Sequence, residues 1–218
     1  MKYSIIVLLI AIPIIIWMLF SAACNKNCPD YLFYRIPYSL NPLRDTFNVN
    51  DTLWLEIKFN EIMTDDVGQI MNSFSNIDFH INAGCERIDI DPPLAYTSAY
   101  IDINTLIGSD SLNNLPISGV SYYRINPIYM SGNYSYKCWI LLKEKGLFSF
   151  GLGSSASTDE KPFQFKGNCD NVPVEFGSRL ENDSENNYHM LQWASNPAYH
   201  KIEAKRFSDY GGYCFVVK

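Results

Sequence analysis

A mainly β chain, an antiparallel sandwich with a few short helices, is what this sequence predicts. Three observations lead there. Short apolar runs alternate with polar residues at period two along much of the chain, the mark of strands with one buried face. Clusters of Gly, Asn, Asp, Ser and Pro separate those runs. Long stretches of helical periodicity are scarce. The 218 residues are 47% hydrophobic, 15% aromatic and 18% charged, which excludes a disordered chain, a collagen-like chain and a coiled coil. The formal charge is −6 and the sequence pI about 5.0. No Lys/Arg cluster stands out, so a basic nucleic-acid binder is excluded as well.

The chain opens with a targeting signal. Lys2 supplies a positive end, Ile5 to Phe20 form an apolar run, and Ser21, Ala22 and Ala23 are small. That order reads as a secretory signal peptide over residues 1–23. The run is short of the ~20 residues a spanning helix needs, and Pro13 interrupts it. Residues 24–44 read as a tether with Pro29, Pro37 and Pro42, in which Leu32 to Ile36 is the one apolar stretch able to pair. Residues 45–218 then form a single domain.

Within that domain Leu53, Leu55, Ile57 and Phe59 share one face of a strand, and Trp54, Glu56 and Lys58 share the other. Thr64 to Phe74 reads as a short helix capped by Thr64 or Asp65. Ile77, Phe79 and Ile81 alternate next, Asn82-Ala83-Gly84-Cys85 reads as a turn, and Ile88 and Ile90 alternate with Arg87, Asp89 and Asp91. Val120 to Ile125 is another strand. Tyr134, Tyr136, Cys138, Ile140 and Leu142 fall on one face. Lys143-Glu144-Lys145-Gly146 makes a turn, and Phe148, Phe150 and Leu152 return as the second arm of a hairpin. Phe163 to Phe165, Val172 to Phe176 and Tyr213 to Val217 complete the strands. Glu185 to Phe207 reads as one or two helices broken at Asn196-Pro197. Many short strands with turn signals between them describe an immunoglobulin-like sandwich, with the excess length in loops and helices.

Ser21-Ala22-Ala23-Cys24 resembles the lipobox of bacterial lipoproteins, departing at Ser21, where that family prefers an aliphatic residue. The resemblance implies cleavage between Ala23 and Cys24 and a diacylglycerol on the Cys24 thiol. An uncleaved signal anchor and plain secretion are the alternatives. Acyl chains contribute about 0.8 kcal/mol per buried methylene, and stable anchoring takes more than one chain, which a diacylated cysteine supplies. Asn25 is not the Asp that marks inner-membrane retention in the enteric members, so the resemblance implies the outer membrane. Farther on, Val49-Asn50-Asp51-Thr52-Leu53-Trp54-Leu55-Glu56 resembles the opening strand of uncharacterised envelope lipoproteins of the Bacteroidota. Gly146-Leu147-Phe148-Ser149-Phe150 and Gly211-Gly212-Tyr213-Cys214-Phe215 resemble later strands of the same kind. That likeness implies a sandwich in the envelope and brings no activity.

Five cysteines remain beyond Cys24: Cys28, Cys85, Cys138, Cys169 and Cys214. An exported protein meets an oxidising compartment, so all five are disulfide candidates, and an odd number leaves at least one unpaired within the chain. For Cys138 the choice is between a small buried hydrophobe and a bridge across the sheets. No C-x-x-C motif calls for zinc, and nothing calls for a cofactor. Gly151-Leu152-Gly153-Ser154-Ser155-Ala156 matches a G-x-G-x-x-A string, but loop chemistry follows where a dinucleotide site needs a helix; a strand-to-strand loop accounts for it. No nucleophile elbow, zincin helix or phosphate loop is present. His80 falls on a polar face, and His189 and His200 lie in a polar C-terminal segment. Asp65, Asp66, Asp89, Asp91 and Asp102 read as solvated carboxylates rather than a calcium loop.

The aromatic residues are more informative. Trp54 and Trp139 both fall on the outer faces of their strands, where either a further layer covers them or they form a binding surface. The sequence therefore predicts a membrane-anchored envelope protein with a binding or structural role toward a protein or glycan. The rival readings are an envelope hydrolase with a loop-built site and a subunit of a surface adhesive or secretion assembly.

Overall fold

In the computed structural model, residues 31–66, 68, 70–115, 120–156, 174–182 and 186–218 are described. In chain order the strands are β1 (Leu32–Asn41), β2 (Thr46–Phe47), β3 (Thr52–Asn60), β4 (Ile62–Thr64), β5 (Met71–Ser73), β6 (Phe79–Arg87) and β7 (Ile101–Ile107). They continue as β8 (Ser109–Leu115), β9 (Val120–Asn126), β10 (Ile128–Met130), β11 (Asn133–Leu142), β12 (Gly146–Ala156), β13 (Val174–Leu180) and β14 (Gly212–Val217). Two six-stranded sheets face each other. The front sheet runs β10-β11-β3-β1-β13, with β7 also on β11, and the back sheet runs β2-β14-β12-β6-β9-β8.

Period-two alternation builds the core. Leu53, Leu55, Ile57 and Phe59 of β3 and Tyr134, Tyr136, Cys138, Ile140 and Leu142 of β11 are all buried, as their spacing predicts. They meet Phe79, Ile81, Phe150, Leu152 and Phe215 from the back sheet in one cluster. Rings cross the gap: Phe59 and Phe79 stand edge to face at 5.2 Å, and Tyr134 packs on Phe79 at 4.8 Å. Buried tyrosine hydroxyls need partners and find them at the core margin. Tyr38 donates to the Gly211 carbonyl at 2.6 Å, and Tyr134 to that of Phe74 at 2.5 Å.

The mainly β, mostly antiparallel sandwich is as expected, with two parallel pairings, β1 with β13 and β14 with β2. The structure corrects several other sequence expectations. β1 occupies residues 32–41 of the segment read as a tether, because Leu32, Tyr34, Ile36, Tyr38 and Leu40 alternate inward and Pro37 takes an outward position. The expected turn at Asn82–Cys85 is the middle of β6; its small residues continue the alternation, with Ala83 and Cys85 buried and Gly84 opposite Gly151. β6 ends at Arg87, so Ile88 to Asp91 is bend rather than strand. The expected helix at 64–74 is the β4–β5 hairpin. The Asp65 carboxylate accepts the Ile70 amide at 2.8 Å, a local bond that competes with helix.

The expected hairpin of residues 134–152 is a crossover. β11 lies in the front sheet and β12 in the back, and the two never pair. Gly146 permits the change of sheet: its φ is +153° and a Cβ there would stand 2.8 Å from Arg87 Nε. A second corner joins β7 in front to β8 behind. At Gly108 φ is +89° and a Cβ would meet the Tyr136 ring at 2.7 Å.

The C-terminal segment forms 3-10 helices at Tyr188–Trp193 and Tyr199–Lys201 and an α-helix at Ala204–Asp209, close to the expected helices. It lies on the outer face of the back sheet. Met190, Leu191, Ala194 and Phe207 pack there with Ile88, Leu147 and Cys214 in a second, smaller core.

Candidate functional site

The front sheet's outer face is where the sequence placed its binding surface. β3 alternates strictly, so Leu53 and Leu55 point inward and Trp54 outward, 39% exposed. Trp139 is likewise the outward, half-buried residue between buried Cys138 and Ile140. Register makes them neighbours: Trp54 and Trp139 are directly opposed across β3 and β11. The same row continues to Asn41 on β1, opposite Trp54, and to Asn104 on β7, opposite Trp139. Four adjacent strands thus carry Asn, Trp, Trp, Asn in line.

The next row is charged but internally paired. Glu56 and Lys137 are cross-strand neighbours with 3.4 Å between Nζ and Oε2. The Lys137 ammonium also sits 6.0 Å from the Trp54 ring centroid, a weak cation–π contact at an exposed site. Sequence reasoning found both tryptophans from alternation and missed both asparagines. Asn41 lies inside the presumed tether, and the alternation of β7 breaks at Thr105-Leu106-Ile107, so it does not read as a strand.

Two concave regions lie elsewhere. A shallow trough of about 400 Å³ crosses the back sheet's outer face, with Gly84, Gly151 and Gly153 in its floor and Tyr122 and Thr97 in its walls. Asn82 lines it, and its Oδ1 is buried without a partner among the described residues. The second, about 310 Å³, lies between β1, β13 and the C-terminal helix and holds Arg35, Arg179, Lys205, Asp66 and Asp209. Arg35 fills it with ion pairs: Nε and Nη2 donate to Asp66 at 2.5 and 2.8 Å, and Nη1 lies 2.9 Å from Asp209. The Arg35 guanidinium holds the Asp66 carboxyl below its ordinary value.

The other chemistry-bearing residues go to structural work. His80 Nδ1 bonds Asn126 Oδ1 at 2.8 Å, His189 stands edge-on to Trp193, and His200 Nε2 lies 3.0 Å from the Ala194 carbonyl. Asp89 pairs with Arg87 at 2.8 Å and Asp102 with Lys143 at 3.1 Å. The G-x-G-x-x-A string is not a loop but part of β12, paired to β6 from Gly151 to Ala156. Among the described residues no group of His, Cys, Asp and Glu side chains gathers around a metal-sized space.

Cys85, Cys138 and Cys214 are free and buried, which corrects their candidacy as disulfides. The reason is placement. Cys138 belongs to the front sheet, while Cys85 and Cys214 sit on back-sheet strands separated by β12. Cys85 faces the main core and Cys214 the second one. Burial pushes the Cys138 and Cys214 thiols up to about 12 and raises Cys85 as well. Cys24, Cys28, Cys169, the Ala23–Cys24 cleavage site and the Phe163–Phe165 strand lie outside the described residues.

The class is thus a two-sheet β-sandwich with a flat aromatic row on an open sheet face. No protein-family model matches the chain, and no curated protein does. Two solved structures are similar in part. The type II cohesin dyad from the adaptor ScaA scaffoldin of Acetivibrio cellulolyticus is 11% identical with a TM-score of 0.29, over 66% of this chain and 46% of that one. The second type II cohesin module of the same scaffoldin is 7% identical with a TM-score of 0.27, over 66% of this chain and 94% of that one. This chain therefore spans less than half of the dyad. Similarity at this level carries nothing about function, and the sandwich stands on its own strand pairing.

Proposed function

We propose that this chain is a bacterial envelope lipoprotein, acylated at Cys24 and held at the outer membrane, whose sandwich binds a partner through the Trp54–Trp139 face of the front sheet. The single observation behind the binding role is that Trp54, 39% exposed, and half-buried Trp139 stand directly opposite one another on the outer face of the front sheet. Exposed indoles are expensive to leave in water and are common binding anchors.

The strand direction supports display. The chain enters the front sheet at Leu32, and the tryptophan row aligns with Asn41 at the other end of β1. At ~3.3 Å per residue those ends are about 30 Å apart. A lipid on Cys24 would hold the Leu32 end toward the membrane and leave the aromatic row at the far end.

Two measurements test the proposal. Intact mass of the membrane-extracted protein is expected to equal residues 24–218 plus a diacylglyceryl or triacyl group; a mass retaining residues 1–23 refutes the lipoprotein. Retention of the solubilised protein on washed envelope fractions is expected to fall on Trp54→Ala and Trp139→Ala with the fold unchanged. Unchanged retention refutes the binding face.

A further inference from the structure

We infer that the ligand of this face is a neutral glycan; the inference rests on the binding role proposed above and names its partner class. Three observations carry it.

The first is shape. The row Asn41–Trp54–Trp139–Asn104 crosses four adjacent strands, about 14 Å at ~4.8 Å per strand. That is the length of a short oligosaccharide. A protein hot spot is characteristically a ring in a closed, desolvated pocket, whereas these indoles lie on an open sheet. A sugar ring offers the matching surface: its C–H faces are apolar and flat, and its hydroxyls point outward in the ring plane.

The second is the flanks. A hydroxyl both donates and accepts, and an amide supplies a carbonyl acceptor and an N–H donor at once. Asn41 is exposed and Asn104 half-buried at the two ends of the indoles, so a ring stacked on either tryptophan has an amide beside its edge.

The third is charge. The row carries no formal charge, and Glu56 and Lys137 beside it neutralise each other. The row itself therefore offers a charged polymer no complementary charge; exposed Lys58, the next outward residue of β3 after Glu56, stands two rows away.

The test uses the full-length protein extracted in detergent. Soluble β-glucan, α-mannan and galactan serve as neutral probes and a sulfated polysaccharide as the charge control, read by calorimetry and tryptophan fluorescence. At least one neutral polymer is expected to bind and change the tryptophan emission. Trp54→Ala is expected to weaken it about tenfold or more, Trp54→Phe to restore most of the loss, and Asn41→Ala or Asn104→Ala to weaken it about three- to tenfold. Because Trp139 is half-buried, the exposed Trp54 and Asn41 variants keep the test independent of folding.

Binding of the sulfated polymer alone, or neutral binding unaffected by Trp54→Ala and Asn41→Ala, overturns the inference. If no neutral polymer binds while Trp54→Ala still abolishes envelope retention, the glycan is wrong and the binding face stands. If retention is also unaffected, both fall.

Discussion

The two outer faces of this sandwich are treated differently. Behind the back sheet, Leu147 of β12, Cys214 of β14 and Ile88 just past the end of β6 form an apolar patch, and the C-terminal segment brings Met190, Leu191, Ala194 and Phe207 down upon them. On the front sheet, Trp54 and Trp139 are outward and larger, yet Trp54 stays exposed and Trp139 is only half-buried. Apolar surface buried against a cover contributes about 25 cal/mol per Å² to stability. The same chain that covers one face leaves Trp54 exposed and Trp139 half-buried on the other. The difference marks the back face as a second core, and on the proposal above the front face is the contact surface.

That comparison can be broken by experiment. The largest effect is expected in the shared core beneath both faces. Phe79→Ala removes a ring packed on Phe59, Phe74 and Tyr134, and is expected to cost about 3–5 kcal/mol in chemical denaturation. Leu191→Ala empties a fully buried site in the second core and is expected to cost about 2–4 kcal/mol, with new proteolytic cleavage inside residues 186–210. A loss under about 0.5 kcal/mol would mean that the cover is decoration and the contrast between faces is false.

Thiol labelling sharpens the same contrast. Cys214 belongs to the second core, Cys85 and Cys138 to the main one. Burial raises all three thiols, so none is expected to react in the folded state. Under mild denaturant Cys214 is expected to react first, because the cover opens before the sandwich does. Simultaneous reaction would merge the two cores into one cooperative unit.

Smaller effects remain at the surface. The Arg35 ion pair lowers the Asp66 pKa, so its contribution is present above the unfolded value of ~3.9 and is lost as pH falls through the folded one. Asp66 is 42% exposed, so solvent screening limits the contribution to about 1 kcal/mol or less. Wild type is expected to lose stability below pH ~4 more steeply than Asp66→Asn in acid titrations of unfolding. Smallest of all, Trp54→Ala is expected to change stability by under about 1 kcal/mol. A loss of several kcal/mol would convert the front face from contact surface to structural layer.

Alternation in the sequence determined which side of each strong strand faces in. Leu53 to Phe59 and Tyr134 to Leu142 behave as read, because side-chain direction in a strand is local and repeats every two residues. It placed Trp54 and Trp139 outward for the same reason. What it left open is everything that depends on partners distant in the chain. The arms expected to pair across Lys143–Gly146 enter different sheets, since a turn's residues do not say whether the chain folds back within a sheet or crosses to the other. The small residues of β6 looked like a turn until Gly151 and Leu152 opposite them supplied ladder and core. Irregularly patterned β7 and polar β8 are strands because β11 and β9 offer them edges. Only register, a property of four strands together, set Asn41 and Asn104 at the two ends of the tryptophan pair.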